Sequence, residues 1–422
     1  MIFSSIPEED VFILSEQRKK DTVFIEVMIR NRGNRCKKCG TYHETVKEYI
    51  LKRIPHQIYH GKECVLLYRH RRFICPKCGK TQMEENPFCS PGKHISDETV
   101  RNVLDFLKRY NNTFRSAAEY FHLSVTQVMK IFDRYVKMER NPLTKVVCFD
   151  EIYFSRKRKK KYVLVLIGFF NRCVLDILRD RDRSTLSSYL RRIDAKERER
   201  VLYASIDMNA NYREVLLRWL PNARIVADSF HVVRRVSKAL DDVRKRIMRR
   251  YEKDRRSDEY YMLKYRDELL YLKDPLSDEH RKVRHNHHFH YVLSEFELLE
   301  KMKKIDPELS LSYEFYHRYI RFNDRKEKDR EKLAAELDDI ILDYRCSGIR
   351  EFEELSLTLR EWRAEILNSF SEIEGRRVSN GPIEGRNSLI RKILKLANGY
   401  SNFDRFRNRI LYSLNKLARH SF

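Results

Sequence analysis

Apolar and polar positions alternate over 22–29 (TVFIEVMI), which predicts a strand, and 64–74 (CVLLYRHRRFI) reads as another strand or two. From Ser96 the period lengthens. Val100, Leu104 and Leu107 recur at helical spacing, as do Phe114, Ala117, Ala118 and Phe121, then Val125, Val128, Met129 and Phe132. Pro142 closes this helical block. Strands return at 146–154 (VVCFDEIYF), 162–170 and 173–180, three apolar runs parted by short polar turns, as in a meander. A helix at 184–194, a strand at 201–207, a helix at 211–219 stopped by Pro221 and a strand at 223–228 follow. A meander followed by alternating helix and strand predicts an α/β layer with a mixed sheet. Residues 232–375 are charged, poor in glycine and helical throughout, which predicts a separate all-helical insertion. A last helix starts near Asn380, with Pro382 in its first turn and Asn398-Gly399 as its stop. There are no internal repeats.

Composition narrows the partners. The 422 residues allow two or three domains, and 42% hydrophobic content with 23 Phe and 24 Tyr argues for a folded chain. Lys and Arg number 87 against 62 acids, a net charge of +25, which points to a polyanion without choosing DNA over RNA. No apolar run approaches the roughly 18 residues of a membrane span, so no membrane partner is expected. The first residues carry acids before their basic run, unlike a signal peptide. Nine cysteines without secretory signals suggest a reducing, cytoplasmic setting in which clustered cysteines bind metal.

Cys36-x-x-Cys39-Gly and Cys75-x-x-Cys78-Gly form two knuckles about 35 residues apart, and a structural zinc ion needs four such soft ligands. His43 could replace one of them. Cys64, Cys89, Cys148, Cys173 and Cys346 stand alone and read as packing residues. Residues 113–136 hold two short amphipathic helices around His122-Leu123-Ser124, and Ser124 with Gln127 has the capping-box spacing. As a helix-turn-helix the pair would present Thr126, Gln127 and Lys130 to DNA bases; the plainer alternative is a helical hairpin that packs only on itself.

Three acids share an address. Asp150 lies in the first strand of the meander, Asp207 ends the fourth strand, and Glu384 lies in the first turns of the last helix. In a sheet of the RNase H type the first and fourth strands are neighbours, and a helix across them would bring the third carboxylate. Two Mg²⁺ or Mn²⁺ ions could then be held by all three, one activating the attacking oxygen and one stabilising the leaving oxygen. Alternation leaves open whether Asp150 or Glu151 faces the site. On the last helix Glu384, Asn387 and Arg391 are expected on a polar face, with Ile383, Ile390 and Leu394 packed.

SIDMNANY (205–212), PNARIVADSFHVVRRV (221–236) and SNGPIEGRNSLIRKILKLANGYSNFDRFRNRIL (379–411) closely resemble insertion-sequence transposases of the ISL-three family. The resemblance covers nearly the whole chain. It implies a zinc-finger head, a helix-turn-helix and a catalytic domain whose Asp-Asp-Glu triad falls on Asp150, Asp207 and Glu384. The family's Asp-x-x-His signature falls on Asp228 and His231, read as hydrogen-bonding support for the site in preference to a further metal pair. The segment between that signature and Glu384 looks like the family's insertion domain.

The expected organisation is therefore a zinc-binding module at 1–95, a helix-turn-helix at 96–142, an RNase H-like α/β sheet at 143–231, an all-α insertion at 232–375 and closing catalytic helices at 376–422. The expected activity is metal-dependent cleavage and strand transfer at terminal inverted repeats and target DNA by a nucleoid-associated homo-oligomer. The rivals are a non-enzymatic DNA-binding regulator with the same head and a simple nuclease or resolvase. Arg156, Lys157, Arg158, Lys159, Lys160 and Lys161 read as a hairpin tip that could touch DNA phosphates. Trp362 is expected in a core in preference to a base-stacking site, and His285, His287, His288 and His290 at the surface.

Overall fold

A computed structural model describes residues 6–59, 61–155 and 159–422. The chain divides into two compact units, Met1–Arg140 with Ser388–Phe422, and Asn141–Asn387.

The first unit opens with strands β1 (Val11–Lys19), β2 (Thr22–Ile29), β3 (Val46–Tyr59), β4 (Lys62–Ile74) and β5 (Thr81–Met83). They form a sheet in the order β1-β2-β4-β3, with β5 on β4, and β2 runs parallel to β4. Val23, Ile25 and Val27 of β2 point one way and pack with Ile54, Leu66, Tyr68 and Phe88. The edge strands β1 and β3 are the ones the sequence pattern does not announce. β1 exposes Phe12, Ile13 and Leu14, β3 exposes Tyr49, Ile50 and Leu51, and neither shows a sustained period of two in its burial. Pro55 within β3 is tolerated because that strand lies at an edge.

Three helices follow: α1 (Asp97–Lys108), α2 (Phe114–Tyr120) and α3 (Val125–Tyr135). Their apolar faces meet in one cluster built on Val103, Leu107, Ala117, Val128 and Phe132, which also takes in Tyr412 of the C-terminal helix Phe403–Leu414. From that helix Arg409, fully buried, donates to the carbonyls of Leu107, Arg109 and Asn112. Carbonyls at the end of α1 lack helical partners and sit at the negative pole of its dipole, so a guanidinium satisfies both. Residues 388–422 thus pack with the first unit, where the sequence reading grouped 376–422 with the catalytic domain.

The second unit is built on β6 (Val146–Tyr153), β7 (Tyr162–Gly168), β8 (Val174–Leu178), β9 (Tyr203–Ile206) and β10 (Arg224–Ala227), in the order β8-β7-β6-β9-β10. β6, β7 and β8 are an antiparallel meander, and β9 and β10 run parallel to β6. Among the described residues, β7 past its first residue and all of β8 are buried on both faces, so they read as near-continuous apolar runs, broken in β8 by the buried Asp176. Helices α4 (Arg183–Arg191), α5 (Ala210–Trp219) and α6 (Ser229–Met248) alternate with the later strands.

Residues 249–375 are mostly helical, but short hairpins pair Arg284–Asn286 with Tyr291–Leu293 and Glu372–Ile373 with Arg376–Arg377. The second turns at Glu374 and Gly375, both at positive φ, the primed-turn geometry that joins two strands tightly. The segment does not have a core of its own. One apolar cluster runs from Val147 and Leu166 of the sheet through α6 to Tyr319, Tyr344 and Trp362, so sheet and helices form a single unit in place of the separate domain expected. No described helix is long and apolar enough to cross a membrane.

Replacing Arg409 with Met should remove the guanidinium donor from the Leu107, Arg109 and Asn112 carbonyls, of which Arg109 keeps the Asn112 N–H, and cost roughly 3 kcal/mol. Amide exchange along α1 is the measurement, and unchanged protection there would mean the clamp is dispensable.

Candidate functional site

Each knuckle of the first unit is a tight turn closed by its own backbone. Gly40 N–H donates to Cys36 C=O and Gly79 N–H to Cys75 C=O, at 2.8 and 2.9 Å, and both glycines sit at positive φ. The turns bring Cys36 Sγ to 3.5 Å from Cys78 and Cys39 Sγ to 3.6 Å from Cys75, and all four sulfurs lie within 4.8 Å of one another. A tetrahedral ion with bonds of about 2.3 Å requires sulfurs roughly 3.8 Å apart, so the quartet fits zinc. His43 is not part of that set. It is buried, edge-on to Phe73, with neither ring nitrogen hydrogen-bonded. Of the lone cysteines, Cys64, Cys89 and Cys148 are buried, Cys173 is half-buried against the core, and Cys346 is exposed and not a packing residue.

The α2–α3 pair carries a capping box at each start. Thr113 and Ser116 close the first, and Ser124 and Gln127 close the second. Thr126, Gln127 and Lys130 are all exposed on α3. Gln127 spends its carbonyl oxygen on the Ser124 N–H, so only its amide NH₂ is free to read a partner. On the same helix Asp133 is held in a bidentate ion pair by Arg405.

In the second unit three neighbouring parallel strands end in acids. Asp150 lies near the end of β6, Asp207 follows β9 and Asp228 follows β10. The registers pair Ser205 with Cys148 and Ile206 with Ala227, which puts the three acids in one row. Strand alternation separates Asp150 from Glu151. Asp150 shares its face with Cys148, whose sulfur lies 3.7 Å from Ser379 O, and accepts from Asn387 Nδ2 at 2.6 Å. Glu151 turns the other way and is occupied by the Tyr212 hydroxyl at 2.7 Å and the Arg181 guanidinium.

The Gly381–Leu396 helix crosses this row. The Asn380 N–H, just ahead of it, donates to Asp228 Oδ1 at 3.4 Å, and Asn387 reaches Asp150. Seven residues of helix advance on the order of 10 Å, matching the two strand spacings from β10 to β6. Glu384, bonded through its N–H to the Asn380 carbonyl, falls between these two contacts along the helix, and its charge is felt at Asp228. Asn387 is fully buried on one stripe with Ile383 and Ile390, while Glu384 and Arg391 are exposed and Leu394 is half-buried. The predicted polar face is corrected accordingly: Asn387 belongs to the packed side because it has Asp150 to bond.

Burial raises the Asp207 carboxyl to about 6, with Glu151 and Asp150 adding repulsion and His231 and Arg235 opposing it. Burial likewise lifts Asp228 to about 6, with His231 and the Asn380 N–H opposing and Glu384 adding to the rise. Asp207 Oδ1, Asp228 Oδ2 and Asn387 Oδ1 are buried without a hydrogen-bond partner. Acceptor oxygens left this way suit a divalent cation, and the donor set of carboxylate and amide oxygens fits Mg²⁺ or Mn²⁺. Asp150, Asp207 and Glu384 do not converge to shared-ligand distance: among the described residues the cysteine quartet alone does that. His231, half-buried, stands 3.8 Å from Asp228.

Arg156, Lys157 and Arg158 lie outside the described residues. Lys160 is paired with Asp180 and Asp182, whereas Lys159 and Lys161 are exposed. Trp362 is buried with the Arg213 guanidinium 4.4 Å over its ring, which excludes base stacking there. His285, His287 and His290 are exposed, and the half-buried His288 stacks on Tyr261 and bonds Asp258. The residues that sequence reasoning missed are Asn380 as a backbone donor and Arg235 beside the acids. Helical spacing from His231 carried the second signal.

A family profile described as "Transposase" matches residues 147–410, more than half of the chain. The chain is also 24% identical over 245 residues to a protein of Bordetella parapertussis named "Transposase for insertion sequence element IS1001". That similarity spans 56% of this chain and 59% of the relative.

Cys75→Ser should abolish zinc retention and unravel the knuckles, since a structural zinc supplies on the order of 10 kcal/mol of folding energy. Zinc content and proteolysis of residues 30–85 are the readouts. A variant that holds zinc as wild type does would remove Cys75 from the ligand set.

Proposed function

Because the chain belongs to the ISL-three family of transposases, we propose that it binds the terminal inverted repeats of an insertion sequence and cuts and joins DNA at Asp150, Asp207 and Glu384. The observation that carries this reading is the row of strand-end acids crossed by the helix of Glu384. The strand order β8-β7-β6-β9-β10, with a meander and two parallel strands, supports an RNase H-like fold for the sheet. Bound divalent ions would supply an activated attacking oxygen and charge for the leaving oxygen.

The chain's own residues do the positioning. Asn387 fixes the rotamer of Asp150, the Asn380 N–H ties the start of the Gly381–Leu396 helix to Asp228, and both hold Glu384 beside the acid row. Tyr212 and Arg181 hold Glu151 away from that face. Thr126 and Lys130 on α3 are the proposed contacts to the repeats, with the zinc knuckles bracing the same unit. The net charge of +25 favours a polyanionic partner and near-diffusion-limited capture of it. A reaction that joins two DNA ends calls for at least two copies of the chain.

The test is cleavage of labelled DNA carrying the element's ends, with Mg²⁺ or Mn²⁺ against EDTA, for wild type and Glu384→Gln. We expect metal-dependent nicking and joined product from wild type. The variant should lose at least about a thousandfold in rate, the scale of removing one preorganised charge at a reacting centre, with end binding intact. Equal cutting by the variant would refute the assignment. Tight binding without any metal-dependent cut would support a DNA-binding regulator, and cutting without joined product a simple nuclease.

A further inference from the structure

Three carboxylates suffice for the reaction proposed above, yet the row contains a fourth acid that the triad leaves out. Asp228 ends β10 as Asp207 ends β9, and the two strands are paired in register up to Ile206 and Ala227. Its side chain is buried to about the same degree as the core around it, at 2% exposure. One oxygen, Oδ1, accepts the Asn380 N–H, and the other, Oδ2, has no hydrogen-bond donor. His231 comes no closer to that oxygen than 3.8 Å, beyond hydrogen-bond reach. Asp228 stands at the start of α6 without a side-chain cap hydrogen bond of normal geometry, although the nearby Phe230 N–H favours its charged form. A buried carboxylate oxygen with no donor is expensive, and a purely supporting acid would spend both oxygens on N–H groups.

The surroundings repeat the pattern. Asn387 is fully buried and donates to Asp150, while its own Oδ1 has no partner, and Asp207 Oδ1 is in the same condition. Adjacent strand ends are about 4.8 Å apart, so cations seated between Asp150 and Asp207 and between Asp207 and Asp228 would stand near the roughly 4 Å separation of paired-metal sites.

We propose that Asp228 is a direct ligand of a divalent cation, shared with Asp207 and Glu384, while Asp150 and Asp207 hold a second. This rests on the metal-dependent reading of the triad. It changes the role of Asp228 from support to ligand, and it leaves His231 as a neighbour of the bound cation.

The experiment titrates Mn²⁺ into the full-length zinc-loaded protein and follows free Mn²⁺ by electron paramagnetic resonance. Wild type should take up about two ions per chain. Asp228→Asn should keep one and lose the other by far more than a hundredfold. A supporting residue would instead retain both ions with affinity lowered about 10- to 100-fold, and that outcome overturns the proposal. Should Asp228→Asn fail to fold, as judged by zinc content and circular dichroism, Asp228→Cys titrated with Cd²⁺ gives an independent reading. Direct ligation predicts a new thiolate-to-cadmium ultraviolet absorption above that of wild type, and its absence overturns the inference. If wild type itself binds no Mn²⁺, the metal-dependent reading of the whole site falls. If wild type binds two ions and Asp228→Asn also binds two, only the ligand role of Asp228 falls.

Discussion

Asp150 within β6, and Asp207 and Asp228 just past the ends of β9 and β10, stand in register on three neighbouring parallel strands, so the backbone fixes their spacing at about one strand width before any side chain selects a rotamer. Like charges at that distance in a partly buried setting repel, and burial disfavours their ionised forms further, as the raised carboxyls of Asp207 and Asp228 reflect. The fold tolerates this because rigid elements hold the row from outside. The sheet is buried on both faces, and one helix is pinned to both ends of the row by Asn380 and Asn387. The long helical segment between β10 and that helix shares the core of the sheet, so it braces the strand that ends in Asp228.

Much of the second unit was legible because its elements obey a single period. Buried strands such as YVLVLIG and VLDIL are apolar runs broken only by the buried Asp176, and the strands read at 146–154, 201–207 and 223–228 differ from the observed ones by a residue or two at their ends. The start of α3 was legible for a local reason, since Ser124 and Gln127 satisfy each other across one turn. Strands β1 and β3 were not, because edge strands with exposed Ile13, Leu14, Tyr49 and Leu51 lack a buried face to impose alternation. The hairpins at 284–293 and 372–377 depend on turn residues such as Glu374 and Gly375, too short a signal to stand out in a charged helical stretch.

The site was legible to a different depth. Position along the chain suggested which acids share an address, and the family resemblance selected three of them. Strand alternation alone left Asp150 and Glu151 open, since they differ by one residue and therefore by a face, and the resemblance chose Asp150. The structure separates them through their partners, an amide for Asp150 and a phenol with a guanidinium for Glu151. Nor could a helical wheel place Asn387, because a buried polar residue on an apolar stripe makes sense only once its acceptor on another element is known.

Charge bears on the proposed nucleic-acid partner. A row of acids repels a phosphodiester, and it does so within a chain whose net charge of +25 draws polyanions in. Several arginines of the second unit are spent on partners: Arg181 on Glu151, Arg183 on Glu214, Arg213 on Glu361 and Arg246 on Glu351. Beside the acids stand His231 and, one helical turn on, the exposed Arg235, whose charge is felt at Asp207. The single guanidinium of Arg235 does not offset Asp150, Asp207, Asp228 and Glu384 together. Two divalent cations would match these four carboxylates charge for charge, leaving the phosphate to meet a neutral centre flanked by an arginine. Removing the Asp228 carboxylate, as in Asp228→Asn, would leave the same two cations with an excess positive charge, drawing phosphate in more tightly and slowing its release.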